Sequence, residues 1–186
     1  MRKLLRVVGI CFAVTVSSSA VSDNGFAKEI CNSLPKPLPK FQGMRLKNSE
    51  KYKDDKLGVS ARYVGKSEVL TFFKFDFGRK TIDDEILNKL FSKAIQELYQ
   101  FADKVGEKLD NPKEIGIIPF AGFSMRHFHV LGYTETLIAS EMLSMGHDGI
   151  CITKIRYTNT KSTNLLGTLE QYQVHLDILE KYISEK

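Results

Sequence analysis

Two histidines separated by one residue are the part of this sequence best suited to chemistry. They lie in residues 126–129 (RHFH). On a β-strand, side chains two positions apart point to the same face, so His127 and His129 would lie side by side. Two imidazoles placed in this way can share a metal ion, with Glu135 or Glu141 as a third ligand. The alternative is an ordinary amphipathic or solvated strand face, because an isolated histidine pair is common.

A second set of polar residues falls on the neighbouring strands. Lys74 and Asp76 alternate with phenylalanines on a predicted strand, and Arg62 lies on the strand before it. Together with Arg126, these residues are candidates for a polar binding patch near the histidines. The alternative is a set of cross-strand ion pairs on a solvent-facing surface, which stabilise a protein only slightly.

The rest of the chain carries no recognisable reaction chemistry. It lacks GxSxG, HExxH, GxGxxG, P-loop and EF-hand sequences. Its four histidines are at positions 127, 129, 147 and 175, and no spacing pairs one of them with a cysteine nucleophile. We therefore expect neither catalytic residues nor a cofactor, and the sequence favours a protein that is not an enzyme.

Two cysteines are candidates for a disulfide bond. Cys11 lies within the apolar N-terminal stretch, which leaves Cys31 and Cys151 in the rest of the chain. An even pair favours a disulfide in an oxidising compartment. The alternative is two free thiols, since free cysteine is among the most buried residue types. Neither has another Cys or His at zinc-ligand spacing, so we do not expect a zinc site there.

The first residues have the three parts of a secretory signal peptide. Residues 1–6 (MRKLLR) are positively charged, residues 7–16 (VVGICFAVTV) are uncharged and mostly apolar, and a run of small residues ends at Ala20. The apolar stretch is shorter than the roughly 20 residues that a membrane helix needs. We expect cleavage after Ala20, with Ala27 as a second candidate. The alternatives are an uncleaved anchor or a buried first strand.

Removal of this segment changes the charge of the protein. The whole chain has 27 Lys and Arg against 22 Asp and Glu, a net charge of +5. Residues 1–20 contain three of the basic residues and no acidic one, which leaves 24 against 22 and a net charge of +2. We therefore do not expect a nucleic acid as a partner. No later stretch is long and apolar enough to predict a membrane span in the mature chain.

The remaining sequence is typical of one globular domain. The chain has 186 residues, of which 42% are hydrophobic and 26% charged. Residues 21–56 form a lead-in. Within it, three prolines exclude a regular helix or central strand over 34–39 (LPKPLP), and the charged residues 47–56 indicate a loop. We expect residues 21–40 to contribute little to the core, which would belong to a single domain over residues 57–186.

Hydrophobic periodicity predicts seven elements in the order β-β-α-β-β-β-α. The predicted strands are 57–64, 68–77, 122–133, 135–145 and 149–158, and the predicted helices run from Thr81 or Asp83 to about Leu109 and from about 164 to 184. Short strands joined by turns indicate an antiparallel sheet. Each helix has one apolar stripe that must be buried, so we expect an α+β fold with both helices packed on the sheet.

The strand over residues 68–77 is rich in phenylalanine. Phe73, Phe75 and Phe77 alternate on one predicted face, and Phe72 lies on the other. These rings could line a ligand cavity, but apolar alternation is more typical of core, because a covering helix is enough to explain it.

The layout resembles the Mog1/PsbP-like α+β fold, in which helices flank an antiparallel sheet. The resemblance is carried by the hairpin ARYVGKSEVLTFFKFDFG, by the helix that follows it, and by the strand GICITKIRYT leading into the last helix. It extends over residues 57–183. It implies docking and accessory roles in small exported bacterial proteins, and it assigns no functional residue to this chain.

Together, these features predict an exported, non-enzymatic binding or accessory protein of the bacterial cell envelope. Its partner would be another envelope protein or a small apolar ligand. One alternative is a small metal-dependent or hydrolytic enzyme that uses His127 and His129. Another is a secreted effector-type factor, which needs the same export and a stable domain. The enzyme requires the two histidines to face a concave pocket that contains a carboxylate.

Overall fold

The computed structural model describes residues 30–34, 36–111, 113–133, 138–161 and 165–184. The predicted signal peptide and both candidate cleavage sites lie outside these residues. The strands are β1 Arg45–Lys51, β2 Val59–Val64, β3 Glu68–Phe75, β4 Lys108–Leu109, β5 Lys113–Phe120, β6 Phe123–Tyr133, β7 Ile138–His147 and β8 Ile152–Asn159. The two long helices are α1 Asp84–Val105 and α2 Leu165–Ser184, and a 3₁₀ turn spans Asp55–Leu57.

The strands form a single antiparallel sheet. Their order is β1-β2-β3-β8-β7-β6-β4, and β5 also pairs with β6. This confirms the predicted α+β class, the antiparallel sheet and the two long helices. The central strands β2, β3, β6, β7 and β8 match the five predicted ones to within a few residues at most ends.

Three strands were missing from the sequence-based prediction. β1 lies largely in the segment 47–56, which the sequence predicts to be a loop, and all seven of its residues are exposed. It therefore has no apolar alternation that a sequence could reveal. β5 contains Gly116, with a φ of 109° beside a register shift, and Pro119. Both interrupt a strand pattern, but a bulged edge strand tolerates them. β4 has only two residues.

The two helices cover opposite faces of the sheet. One core cluster joins α2 to alternate residues of the central strands: Ala61, Tyr63, Leu70, Phe72, Ile155, Tyr157, Tyr172, Leu176 and Leu179. The other joins α1 to the residues between them: Phe75, Phe128, Val130, Leu143, Met145, Ile152, Leu87, Phe91 and Ala94. We call these sides the α2 face and the α1 face. Phe73 and Phe77 pack against the second cluster, so the predicted phenylalanine stripe is core.

Cover on the α1 face is uneven within the described part of the chain. On β2 and β3, the α2-face residues Tyr63 and Leu70 are buried, whereas Arg62 and Thr71 on the α1 face are half-buried. The reason is that α1 packs on β6, β7, β8 and the end of β3. We call the half-buried part of this side the open α1 face. It comprises Arg62, Val64, Val69, Thr71, Lys154 and Arg156.

The ends of α1 follow from local chemistry. The carboxylate of Asp83 accepts a hydrogen bond from the Ile86 amide at 2.8 Å, which caps the first turn. The helix ends at Gly106, in the left-handed conformation, and not near Leu109 as predicted. Lys108 and Leu109 belong instead to β4, which pairs with β6. Neither α1 nor α2 is apolar enough over a sufficient length to cross a membrane.

The lead-in is part of the core, contrary to expectation. Cys31 forms a disulfide with Cys151, with a Cα–Cα distance of 5.5 Å. Leu34 and Leu38 pack against the core cluster of the α2 face, and Phe41 is buried in it. The predicted disulfide is therefore present, and it holds the lead-in at the turn between β7 and β8. From there the lead-in covers the α2 face.

Candidate functional site

β6 places His127 and His129 on the same face, as alternation predicts. Nδ1 of His127 lies 2.6 Å from Oγ of Ser144, and Nε2 of His129 lies 2.8 Å from Oγ of Ser140. Tyr172 of α2 stacks on His127 with ring centroids 5.2 Å apart, and its hydroxyl donates to Ser144 at 2.7 Å. Each histidine is only 2% exposed. The pair is therefore enclosed between the sheet and α2.

This polar cluster continues under α2 as far as β3. The ring of Tyr157 lies 5.5 Å from that of Tyr172, and its hydroxyl donates to the Glu68 carboxylate at 2.5 Å. His175 packs on Tyr157 at a ring distance of 5.4 Å, with Nε2 4.0 Å from a Glu68 oxygen. We call this set the α2 cluster: His127, His129, Ser140, Ser144, Tyr172, Tyr157, Glu68 and His175.

Burial favours the neutral form of His127 and His175. Desolvation, reinforced by the nearby His129, lowers the pKa of His127 to about 4. Desolvation also lowers the pKa of His175, against the opposing attraction of Glu68. A general base must come within hydrogen-bond reach of its substrate. His127 instead stacks on Tyr172 and bonds to Ser144, and His175 packs on Tyr157, so both rings support the packing of α2.

The structure weakens the case for a metal site at the histidine pair. Glu141 is on the α1 face, where it accepts a hydrogen bond from Nε of Arg156 at 3.2 Å, so its expected role as a third ligand is wrong. Glu135 lies outside the described residues. In the part of the chain that the structure describes, no group of three His, Cys, Asp or Glu side chains is placed to hold a metal ion. Metal binding by His127 and His129 stays a prediction.

The predicted patch of Lys74, Asp76, Arg62 and Arg126 is not assembled. Lys74 is on the α2 face of β3, opposite Thr153, whereas Arg62 and Arg126 are on the α1 face. Asp76 follows β3, is 4% exposed and accepts a hydrogen bond from the Gly78 amide at 2.6 Å. The prediction failed because strand alternation places adjacent positions on opposite faces, and the register between strands was not known.

A different row of polar side chains crosses the open α1 face. Arg62 on β2 lies opposite Thr71 on β3, and Thr71 lies opposite Arg156 on β8. We call these three residues the arginine row. Adjacent strands are about 4.8 Å apart, so the two arginine Cα atoms are separated by about 10 Å with a short side chain between them. In the next row, Lys154 lies opposite Phe73, with Nζ 5.4 Å from the ring centroid.

The cations of this surface are close enough to affect one another. Burial and the charge of Arg156 lower the pKa of Arg62. Burial and Arg156 also lower the pKa of Lys154 to about 8, against the opposing attraction of Glu97. Arg62, Lys154 and Arg156 therefore lie close enough to one another for their charges to interact. Guanidinium groups bind carboxylates and phosphates through paired N–H donors.

Carboxylates lie beside these cations on the side of α1 and β7. Glu141 accepts a hydrogen bond from Arg156. Burial and the nearby Glu141 raise the pKa of Glu107, while Arg156 opposes this shift. Towards β7, the open α1 face therefore carries both signs of charge.

The sequence did not single out Thr71, Lys154 or Arg156. The pairing of Arg62 with Thr71 follows from the short turn between β2 and β3, so a hairpin register could have revealed it. The pairing of β3 with β8 joins distant parts of the chain and has no local signal.

A comparison with known protein families finds no family model that matches this chain, and no curated protein matches it.

Proposed function

We propose that this chain is an exported protein of the bacterial cell envelope that acts by binding. The observation that carries the proposal is the disulfide between Cys31 and Cys151, two residues that are 0% and 1% exposed. Structural disulfides persist in oxidising compartments and are rare in the cytosol. Residues 1–20 have the charged start, apolar stretch and small-residue site of a secretory signal, which supplies the route to such a compartment.

Binding fits the described surface better than catalysis does. The histidines that suggested an enzyme are enclosed by α2. The open α1 face instead presents charged and half-buried apolar side chains, among them Arg62, Arg156 and Val69. A surface of this composition can recognise a ligand or partner without reacting with it. The secreted effector-type factor differs from this proposal only in its destination.

Fractionation of a bacterium that expresses the chain tests the proposal. We expect the full chain, with a C-terminal tag, to be found in the envelope fraction. The matched control lacks residues 2–20 and should stay in the cytoplasm, because it has lost the signal. Accumulation of the full chain in the culture medium would favour the secreted factor. Retention of the full chain in the cytoplasm would contradict export.

A further inference from the structure

We propose that the arginine row binds an oxyanion, either a carboxylate or a phosphate group, held above Thr71 between Arg62 and Arg156. This inference rests on the proposed binding function and names the chemistry of its ligand. The ligand would be a small molecule with one such group and a short apolar body.

The geometry of the row suits an oxyanion. Arg62 and Arg156 approach Thr71 from the two neighbouring strands on the same face. Each guanidinium has five N–H donors in a planar fork, and the threonine hydroxyl can donate one more hydrogen bond. Arg156 uses its Nε to bond Glu141 at 3.2 Å, which orients its side chain, and its Nη atoms carry further donors. Two such forks can surround a group with two or more oxygens.

The charges are compatible with a negative occupant. Besides burial, Arg156 acts on both Arg62 and Lys154 and lowers the pKa of each. Glu141 and Glu97 offset part of this repulsion at Arg156 and Lys154, and an anion above Thr71 would reduce it further. Arg62 and Arg156 are only partly buried, so water and a ligand can reach them.

The surroundings of the row indicate the shape of the ligand. Val69 and Phe73 flank Thr71 along β3 on the same face and are half-buried. They offer apolar contact beside the charged row. The carboxylates of Glu97, Glu107 and Glu141 lie on the side of α1 and β7, and they would repel a second negative charge there. The body of the ligand should therefore be apolar or neutral.

Titration of the isotope-labelled protein, purified from the cell, tests this site by NMR. The probes are inorganic phosphate and butyrate, and sodium chloride at equal ionic strength is the control. We expect at least one probe to shift the amide signals of Arg62, Thr71 and Arg156 saturably in the millimolar range. Saturation by phosphate alone identifies a phosphate ligand, and saturation by butyrate alone identifies a carboxylate. No saturable shift with either probe would overturn the proposal.

Matched variants connect any binding to the arginine row. Arg62→Gln should weaken binding about tenfold, the range expected for one lost charged hydrogen-bonding group. Arg79→Gln removes the same charge from the exposed turn after β3 and should change affinity by less than about twofold. Thr71→Val keeps the β-branched shape and should weaken binding several-fold. If both Arg62→Gln and Thr71→Val bind like the unmodified protein, the site is wrong. Failure of export would leave this result unaffected.

Discussion

Enclosure determines what His127 does in this protein. Its Nδ1 is bonded to Ser144, whereas its Nε2 meets no hydrogen-bond partner among the described residues. Besides burial, the neighbouring imidazole of His129 also lowers its pKa. An added proton would therefore be neither solvated nor paired. The ring is stable under α2 only in its neutral form.

Acid should destabilise the fold through this residue. The pKa of His127 is about 4 in the folded protein and about 6.5 in an unfolded chain. As pH falls, the unfolded state takes up the proton first, so its population grows. His127 therefore leaves the free energy of unfolding unchanged above about pH 6.5. Between pH 6.5 and 4 it lowers that free energy by about 3 kcal/mol. His175 acts in the same direction, since its pKa is also lowered.

Urea unfolding at several pH values measures this effect. His127→Asn keeps a polar group near Ser144 but cannot titrate, so it should flatten the dependence of the unfolding free energy on pH between 6.5 and 4. His147→Asn, in the turn at the end of β7, is the matched control and should keep the dependence. Equal slopes for His127→Asn and the unmodified protein would show that His127 is not desolvated as described.

The lead-in and α2 act together as elements, because both pack on the α2 face. Phe41 contacts Tyr63 edge-on at 4.6 Å and His175 of α2 at 5.4 Å. The disulfide fixes the start of the lead-in to the turn before β8. The lead-in therefore completes the core beside α2.

Loss of the disulfide should weaken the whole domain. The double variant Cys31→Ala, Cys151→Ala should lose about 2–4 kcal/mol of unfolding free energy, because the bridge restricts the unfolded chain over a separation of 120 residues. Urea unfolding without reductant measures the loss. Adding a reductant should lower the midpoint of the unmodified protein and leave that of the double variant where it was. A double variant with the same midpoint as the unmodified, oxidised protein would mean that the lead-in is held by packing alone.

Periodicity predicted the elements that bury one face and missed those that do not. The stripes of α1 and α2 and the alternation of β3 are readable because packing requires them. β1 is exposed along its whole length and has no such pattern. On β6, Met125, His127, Phe128, His129 and Val130 are all buried, so alternation gave the shared face of the histidines but not the helix that covers it. The arginine row depends on the β3–β8 register, which only the complete sheet defines.

At the scale of the molecule, the two faces of the sheet are covered differently. α2 and the lead-in close one face over the α2 cluster, whereas α1 leaves the β2–β3 part of the other face half-exposed. On the α2 face, the histidines and tyrosines of the α2 cluster serve as packing residues. The arginine row lies on the open α1 face. The disulfide that fixes the lead-in over the α2 face requires oxidising conditions to persist, which agrees with the proposed export.

The most direct test of export and disulfide formation is the intact mass of the protein from the envelope fraction, measured without reductant. We predict a chain that runs from Val21 to Lys186 and is lighter by two hydrogens than the same chain with free thiols. Cleavage after Ala27 would move the first residue to Lys28 and leave the account intact. A mass that still includes residues 1–20, or one with both thiols free, would contradict it.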